Sequence, residues 1–83
     1  MPEDGLYRTL RQGGFSGDDT KCMVRELKGA IPQEKISDLV YFASWSRWPK
    51  SKTDALYKLM QIDDKQTRAA LAAAGARCLT GVH

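Results

Sequence analysis

The sequence predicts an all-α protein, a small bundle of three or four helices. Helix start signals recur along the chain at Ser16, Ser51 and Asp63, and each is followed by apolar residues at helical spacing. A chain of 83 residues can bury one modest core, so we expect a single domain. Hydrophobic residues make up 42% and charged residues 28% of the chain, which is typical of a globular protein. Local signals and overall composition therefore indicate the same fold class.

The first clear helix starts at Ser16, whose hydroxyl is expected to accept a hydrogen bond from the amide of Asp19. Pro32 forbids simple continuation of this helix but suits the first turn of a second one, which Pro49 closes. Both segments show the apolar spacing of a helix with one buried face. The two apolar stripes are Met23, Val24, Leu27, Ala30 and Ile31, then Ile36, Leu39, Val40, Phe42 and Ala43, extended by Trp45 and Trp48.

Two further helices are predicted in the C-terminal half. The third begins with a capping box formed by Ser51 and Asp54. The fourth is predicted to have Asp63 as its N-cap, with Gln66 at the third helical position, and to stop at Gly75. The inward positions predicted for these helices are Ala55, Leu56, Leu59 and Met60, then Thr67, Ala70, Leu71 and Ala74.

The first 15 residues are predicted to form an N-terminal arm or a short helix, and residues 16–83 the single helical domain. A glycine pair follows the first apolar residues and is expected to act as a flexible joint. Because Leu6, Tyr7, Leu10 and Phe15 have no evident place in the minimal core, we expect them to form the surface of a possible homodimer. The predicted core consists of Val24, Leu27, Ile36, Leu39, Phe42, Leu56, Leu59, Ile62 and Leu71.

The two cysteines, Cys22 and Cys78, and the single histidine, His83, are too few to build a zinc site. A disulfide is one interpretation, but two reduced thiols in a cytosolic protein are preferred because small disulfide scaffolds contain more cysteine. No apolar run approaches the ~18 residues of a membrane span, and the N-terminus lacks the apolar core of a signal peptide. We therefore expect a cytoplasmic location, with no membrane partner, and no cofactor.

Catalytic chemistry is not expected from this chain. It contains no Ser-His-Asp set, nucleophile elbow, phosphate-binding loop or metal-ligand spacing. Its aspartates cluster at predicted helix starts, where capping explains them better than acid–base catalysis. The formal net charge of +3 permits a polyanionic partner without requiring one. These observations favour a binding protein that is not an enzyme.

The segment from Leu56 to Leu71 carries the most specific pattern in the sequence. It predicts a short helix, a tight turn with a buried aliphatic side chain at Ile62, and a second helix capped by Asp63. Over residues 53–82 the chain resembles the helix-turn-helix of winged-helix and related bacterial or phage DNA-binding domains. The resemblance implies that residues 32–47 form a support helix. It also implies that residues 75–80 form the glycine turn and first strand of a winged domain.

This resemblance implies a small regulatory protein that binds duplex DNA, with residues 64–74 as a recognition helix in the major groove. Gln66 suits an adenine edge, Arg68 a guanine edge, and an alanine methyl a thymine methyl. The residues expected to contact bases are Lys65, Gln66, Arg68, Ala69 and Ala72, and those expected to contact phosphates are Arg47, Lys50, Lys52 and Lys58.

A second class of function stays open, that of a small phage or mobile-element protein that binds and inhibits a host protein or defence complex. Aromatic side chains dominate binding hot spots, and the candidates for such a contact are Tyr7, Tyr41, Trp48 and Tyr57. The aromatic and basic residues from Trp45 to Lys52 would also suit a single-strand stacking platform, but the end of an apolar helix beside a solvated loop is the preferred interpretation. The basic face of Lys21, Arg25 and Lys28 is likewise interpreted as solvated.

Overall fold

The computed structural model describes residues 2–43 and 49–79, and within these ranges the protein is all-α, as predicted. Three of the sequence-based site and core residues, Trp45, Arg47 and Trp48, lie outside the described residues. No strand and no helix long and apolar enough to cross a membrane occur in the described ranges. The five helices there are α1 (Pro2–Gln12), α2 (Gly17–Ala30), α3 (Gln33–Phe42), α4 (Lys52–Leu59) and α5 (Lys65–Cys78).

Two of the predicted helix starts are confirmed in detail. The hydroxyl of Ser16 accepts a hydrogen bond from the amide of Asp19 at 3.1 Å, which begins α2. The hydroxyl of Ser51 does the same for the amide of Asp54 at 3.1 Å, which begins α4. Each serine has extended backbone angles, as an N-cap residue requires. These starts depend on residues three apart, so the sequence alone is enough to locate them.

The start of α5 lies one residue later than the sequence predicted. Asp64, not Asp63, is the N-cap, and its Oδ2 accepts hydrogen bonds from the amide of Thr67 at 2.9 Å and from the Thr67 hydroxyl at 2.5 Å. Threonine offers both donors three residues after Asp64, whereas Asp63 would have only the amide of Gln66 there. The Asp63 side chain is fully exposed.

The predicted end of α5 at Gly75 is wrong, because the helix continues to Cys78. Gly75 is buried, and a β-carbon at this position would lie 3.1 Å from Cδ2 of Leu56. The missing side chain therefore serves the close approach of α4 and α5, not a helix stop. The glycine turn and strand implied for residues 75–80 are replaced by helix as far as Cys78, and the winged part of the resemblance has no counterpart in that segment.

The core is larger at its N-terminal end than the sequence predicted. Helix α1 packs against α3 and α2, and it buries Leu6 and Leu10 completely. Gly14, with φ of +100°, reverses the chain after α1, and Phe15 then enters the same core. The predicted dimer surface is therefore wrong for these three apolar residues, and of that set only Tyr7 is exposed. The predicted flexible glycine joint is instead a hydrogen-bonded helix end, with Gly13 N–H donating to Thr9 O at 3.0 Å.

Most of the predicted core is confirmed, with one clear error. Val24 and Leu56 are partly buried against the core, but Phe42 is 45% exposed. The inner face of α3 is set by Ile36 and Leu39, and Phe42 projects from a different side of the last turn. The predicted core residues that are buried are Leu27, Ile36, Leu39, Leu59, Ile62 and Leu71.

The preferred interpretation of the cysteines as reduced thiols is wrong, because Cys22 and Cys78 form a disulfide with a Cα–Cα distance of 5.7 Å. Packing of α2 against α5 brings the two residues together across a sequence separation of 56. Such proximity is a tertiary property that the spacing of two cysteines does not reveal. The predicted cytoplasmic location is therefore no longer supported by reduced thiols.

Candidate nucleic-acid interface

The turn between α4 and α5 is compact and anchored, as the sequence predicted. The amide of Gln61 donates to Lys58 O at 3.1 Å, and the amide of Ile62 donates to Leu59 O at 3.1 Å. The Ile62 side chain is buried, so an aliphatic residue fixes the turn to the core. This arrangement holds the first turn of α5 at a defined position relative to α4.

Helix α5 presents a small and cationic surface. Its 14 residues contain no aspartate or glutamate and three cations, Lys65, Arg68 and Arg77. The predicted inward face is confirmed, with Thr67, Ala70, Leu71 and Ala74 all buried. The opposite side exposes Lys65, Gln66, Ala69, Ala72, Ala73 and Ala76. Four of the five predicted base-contacting residues therefore lie on an exposed face.

The fifth predicted base-contacting residue, Arg68, is turned back onto the protein. Its Nη1 donates a hydrogen bond to Ile62 O at 2.8 Å and lies 4.0 Å from Oδ1 of Asp63. The side chain is 40% exposed. Arg68 thus braces the turn before α5, a role that depends on the shape of the turn and that sequence spacing does not reveal.

Lys35 of α3 joins the start of α5 and was not singled out from the sequence. Its Nζ donates to Oδ1 of Asp64 at 3.0 Å and to Oε1 of Gln66 at 2.8 Å. The hydrogen bonds from the Thr67 hydroxyl and amide, followed by the one from Lys35, lower the pKa of the Asp64 carboxyl to about 2. Asp64 is therefore ionised at neutral pH, and the ammonium group of Lys35 offsets its charge at the start of α5.

The Asp64 cap predicts a measurable acid dependence of stability. Since the pKa of Asp64 is lower in the folded protein than its ordinary 3.8, its contribution is present above about pH 4 and is lost as the pH falls towards 2. We expect Asp64→Asn to lower the melting temperature at pH 7. The difference in melting temperature between the variant and the parent protein should shrink as the pH falls from 4 to 2. Thermal melts followed by circular dichroism at several pH values measure both effects.

The matched control for this prediction is Asp63→Asn, which removes the neighbouring, fully exposed carboxylate and leaves the Asp64 contacts in place. The control is expected to keep the acid dependence of the parent protein. If the difference in melting temperature between Asp64→Asn and the parent protein stays constant from pH 7 to pH 2, ionisation of Asp64 does not contribute to stability.

The predicted phosphate-contacting lysines lie on and before α4. Lys52 Nζ is 3.8 Å from Oδ2 of Asp19, and Lys58 Nζ is 3.5 Å from Oδ2 of Asp54. Lys50 is exposed, and its backbone amide donates to Oδ2 of Asp54 at 3.0 Å. That amide, followed by Lys58, lowers the pKa of Asp54. Surface ion pairs of this kind are worth little, so they hold the lysine side chains only weakly.

A second basic strip flanks α5 on the side of α2. Lys21, Arg25 and Lys28 are exposed along α2, as the sequence predicted for a solvated face. Arg25 and Arg77 line a shallow groove between α2 and α5 whose floor is formed by small residues. Arg77 Nη1 pairs with Oε1 of Glu26 at 2.6 Å. Cations therefore lie at the C-terminal end of α5 as well as at its start.

Of the aromatic residues proposed for protein contact, the three that the structure describes lie on three different helices. Tyr41 is 85% and Tyr57 67% exposed, on α3 and α4 respectively, while the Tyr7 hydroxyl lies near Gly17 at the start of α2. Tyr41 joins Phe42 in a groove beside the start of α5. Among the described residues, no group of His, Cys, Asp or Glu has the arrangement of a metal site.

Comparisons with protein-family models, curated proteins and solved structures find no match to this chain.

Proposed function

We propose that this protein binds duplex DNA through α5, as a small regulatory protein of the helix-turn-helix type. The observation that carries the proposal is the exposed face of α5, which combines small side chains with cations and has no carboxylate within the helix. A helix of this kind can enter the major groove without steric or electrostatic conflict from its own residues. The anchored turn at Ile62 supports the proposal, because it fixes the helix that would be inserted.

Base contacts are proposed from the first turns of α5. Lys65 and Gln66 would meet base edges, and the methyl groups of Ala69 and Ala72 would meet thymine methyls. Gln66 must exchange its exposed hydrogen bond from Lys35 for a base edge, an exchange between two hydrogen-bonded states that costs little. Lys50, Lys52 and Lys58 are proposed to contact phosphates, where each released counterion adds to affinity.

Arg68 is proposed to stabilise the turn before α5 in the free protein and to contact a base only in the complex with DNA. Its guanidinium is bonded to Ile62 O in the free protein, so reading a guanine requires that bond to be released. Asp63 is fully exposed, and its Oδ1 lies 4.0 Å from the guanidinium, so it attracts Arg68 weakly and repels phosphate. The carboxylate of Asp63 is thus the feature of this surface that opposes DNA binding most directly.

Replacing Lys52 by Ala should weaken binding to all duplex sequences similarly and flatten the salt dependence by about one unit, because Lys52 is proposed to contact a phosphate. The measurement is fluorescence anisotropy of a labelled mixed-sequence duplex at several salt concentrations. Arg8→Ala removes an exposed cation from α1, which packs against α2 and α3, and serves as the control that should leave the slope unchanged. Equal effects of the two substitutions would place the DNA elsewhere.

Asp63→Asn should strengthen duplex binding severalfold, because it removes a carboxylate from the start of α5 and loosens Arg68. The same anisotropy assay measures this, with Asp4→Asn on α1 as the charge-matched control. Unchanged or weaker binding by Asp63→Asn, in a protein that melts like the parent, would argue against insertion of this end of α5.

The alternative function, binding and inhibition of a host protein, is favoured by the exposure of Tyr41 and Phe42 on one end of α3. Recovery from lysate with and without nuclease separates the two proposals. Nucleic acid without a stoichiometric protein supports the first. A stoichiometric protein that survives nuclease and high salt supports the second, because an aromatic contact depends little on salt.

A further inference from the structure

An open groove lies between the end of α3 and the turn before α5, next to the helix proposed to bind DNA. Its lining, which we name the α3–α5 groove, consists of Asp38, Tyr41, Phe42, Ile62, Asp63 and Asp64. None of these residues is explained by base or phosphate contact in the proposed DNA interface.

The apolar part of the groove is larger than folding requires. Phe42 is 45% and Tyr41 85% exposed, whereas the neighbouring Ala43 and Leu39 of the same turn are buried. The core on this side is already closed by those two residues and by Ile62, so Tyr41 and Phe42 add little to it. Adjacent exposed aromatic side chains that border a concave surface are typical of a contact with another protein.

The charged side chains among the described lining residues are of one sign. They are the three aspartates, and no lysine or arginine occurs among these residues. Lys35 offsets the charge of Asp64 from outside the lining. Asp63 is fully exposed at the rim, and its Oδ1 lies 4.0 Å from Nη1 of Arg68. A carboxylate rim repels the phosphates of DNA and attracts lysine or arginine.

We propose that the α3–α5 groove docks a basic segment of a partner protein, with an apolar side chain against Tyr41 and Phe42 and flanking lysine or arginine side chains at Asp38 and Asp63. The occupant is assigned by charge complementarity with the three aspartates and by the exposed aromatic pair. An arginine of such a segment would also stack on the ring of Tyr41. The proposal does not rest on DNA binding, since the exposed aromatic pair and the three aspartates of the groove carry it.

The test uses the full chain labelled with ¹⁵N and two synthetic peptides, one built of leucine and lysine in an amphipathic pattern and one with glutamate in place of each lysine. In a titration followed by amide chemical shifts, the lysine peptide is expected to shift residues around the groove, and the glutamate peptide is expected not to. Phe42→Ala should weaken binding of the lysine peptide at least tenfold. Tyr57→Ala, which removes a more exposed aromatic side chain on α4, should not.

Equal binding of both peptides, shifts centred outside the groove, or equal effects of Phe42→Ala and Tyr57→Ala would overturn the proposal. Concentration-dependent shifts without peptide, together with a dimeric mass, would assign the groove to a second copy of this chain instead. If Phe42→Ala fails to fold, Asp63→Asn still tests whether the carboxylates at the rim bind the partner. This substitution is expected to weaken binding of the lysine peptide severalfold, and unchanged or tighter binding would show that the partner is not attracted by Asp63. The same substitution is expected to strengthen DNA binding, so failure of one proposal does not imply failure of the other.

Discussion

Removing the disulfide by the double substitution Cys22→Ala and Cys78→Ala is expected to lower the free energy of unfolding by about 4 kcal/mol, from the loss of loop-closure entropy in the unfolded chain. The effect is large because the two cysteines are separated by 56 positions, so the bond constrains most of the chain. A domain of this size has a total stability of about 4–12 kcal/mol, which makes this bond a major part of it. Urea unfolding followed by circular dichroism measures the change.

Reduction of the parent protein provides the control for this expectation. A reductant such as TCEP should lower the unfolding midpoint of the parent protein and leave that of the double variant unchanged. Equal midpoints for the oxidised and reduced parent protein would show that the bond adds no stability.

The second large effect is expected from α1. Leu10→Ala should cost about 2–5 kcal/mol, because the leucine is fully buried and its loss leaves a cavity between α1 and the helices it packs against. Arg8→Ala changes an exposed residue of the same helix and is expected to shift stability by no more than about 0.5 kcal/mol. Chemical unfolding of both variants in parallel measures the difference.

Deletion of residues 1–15 extends this prediction, since it removes Leu6, Leu10 and Phe15 from the core together. We expect the truncated chain to lose its cooperative unfolding transition. If the truncated chain stays helical and monomeric and unfolds cooperatively, the expectation is wrong and the N-terminal segment is a dispensable arm.

The parts of the fold that the sequence predicts are those set by near neighbours. Ser16 and Ser51 cap helices through residues three positions away, and Leu27, Leu39 and Leu71 follow from helical spacing alone. The errors arise where distant residues decide. Gly75 is glycine because of Leu56 on another helix, and the two cysteines meet only because α2 packs against α5.

The candidate site shows the same division. The exposed face of α5 could be predicted, because the inward positions of a helix determine the outward ones. The position of Arg68 against Ile62 O and the hydrogen bonds of Lys35 depend on how the turn and α3 lie in space. The exposure of Phe42 likewise depends on which side of the last turn of α3 faces the core. The apolar pattern of a short helix does not determine this side.

Helix α5 is fastened at both ends to different helices. Lys35 of α3 holds its first turn through Asp64, and α2 holds its last turn through the bond to Cys78 and the Glu26–Arg77 pair. The backbone of α5 is therefore already restricted in its motion in the unbound protein. Binding at its exposed face requires little further ordering, which makes α5 a preorganised surface. Affinity there depends on what the side chains of α5 contact, and its orientation depends on the two fastenings.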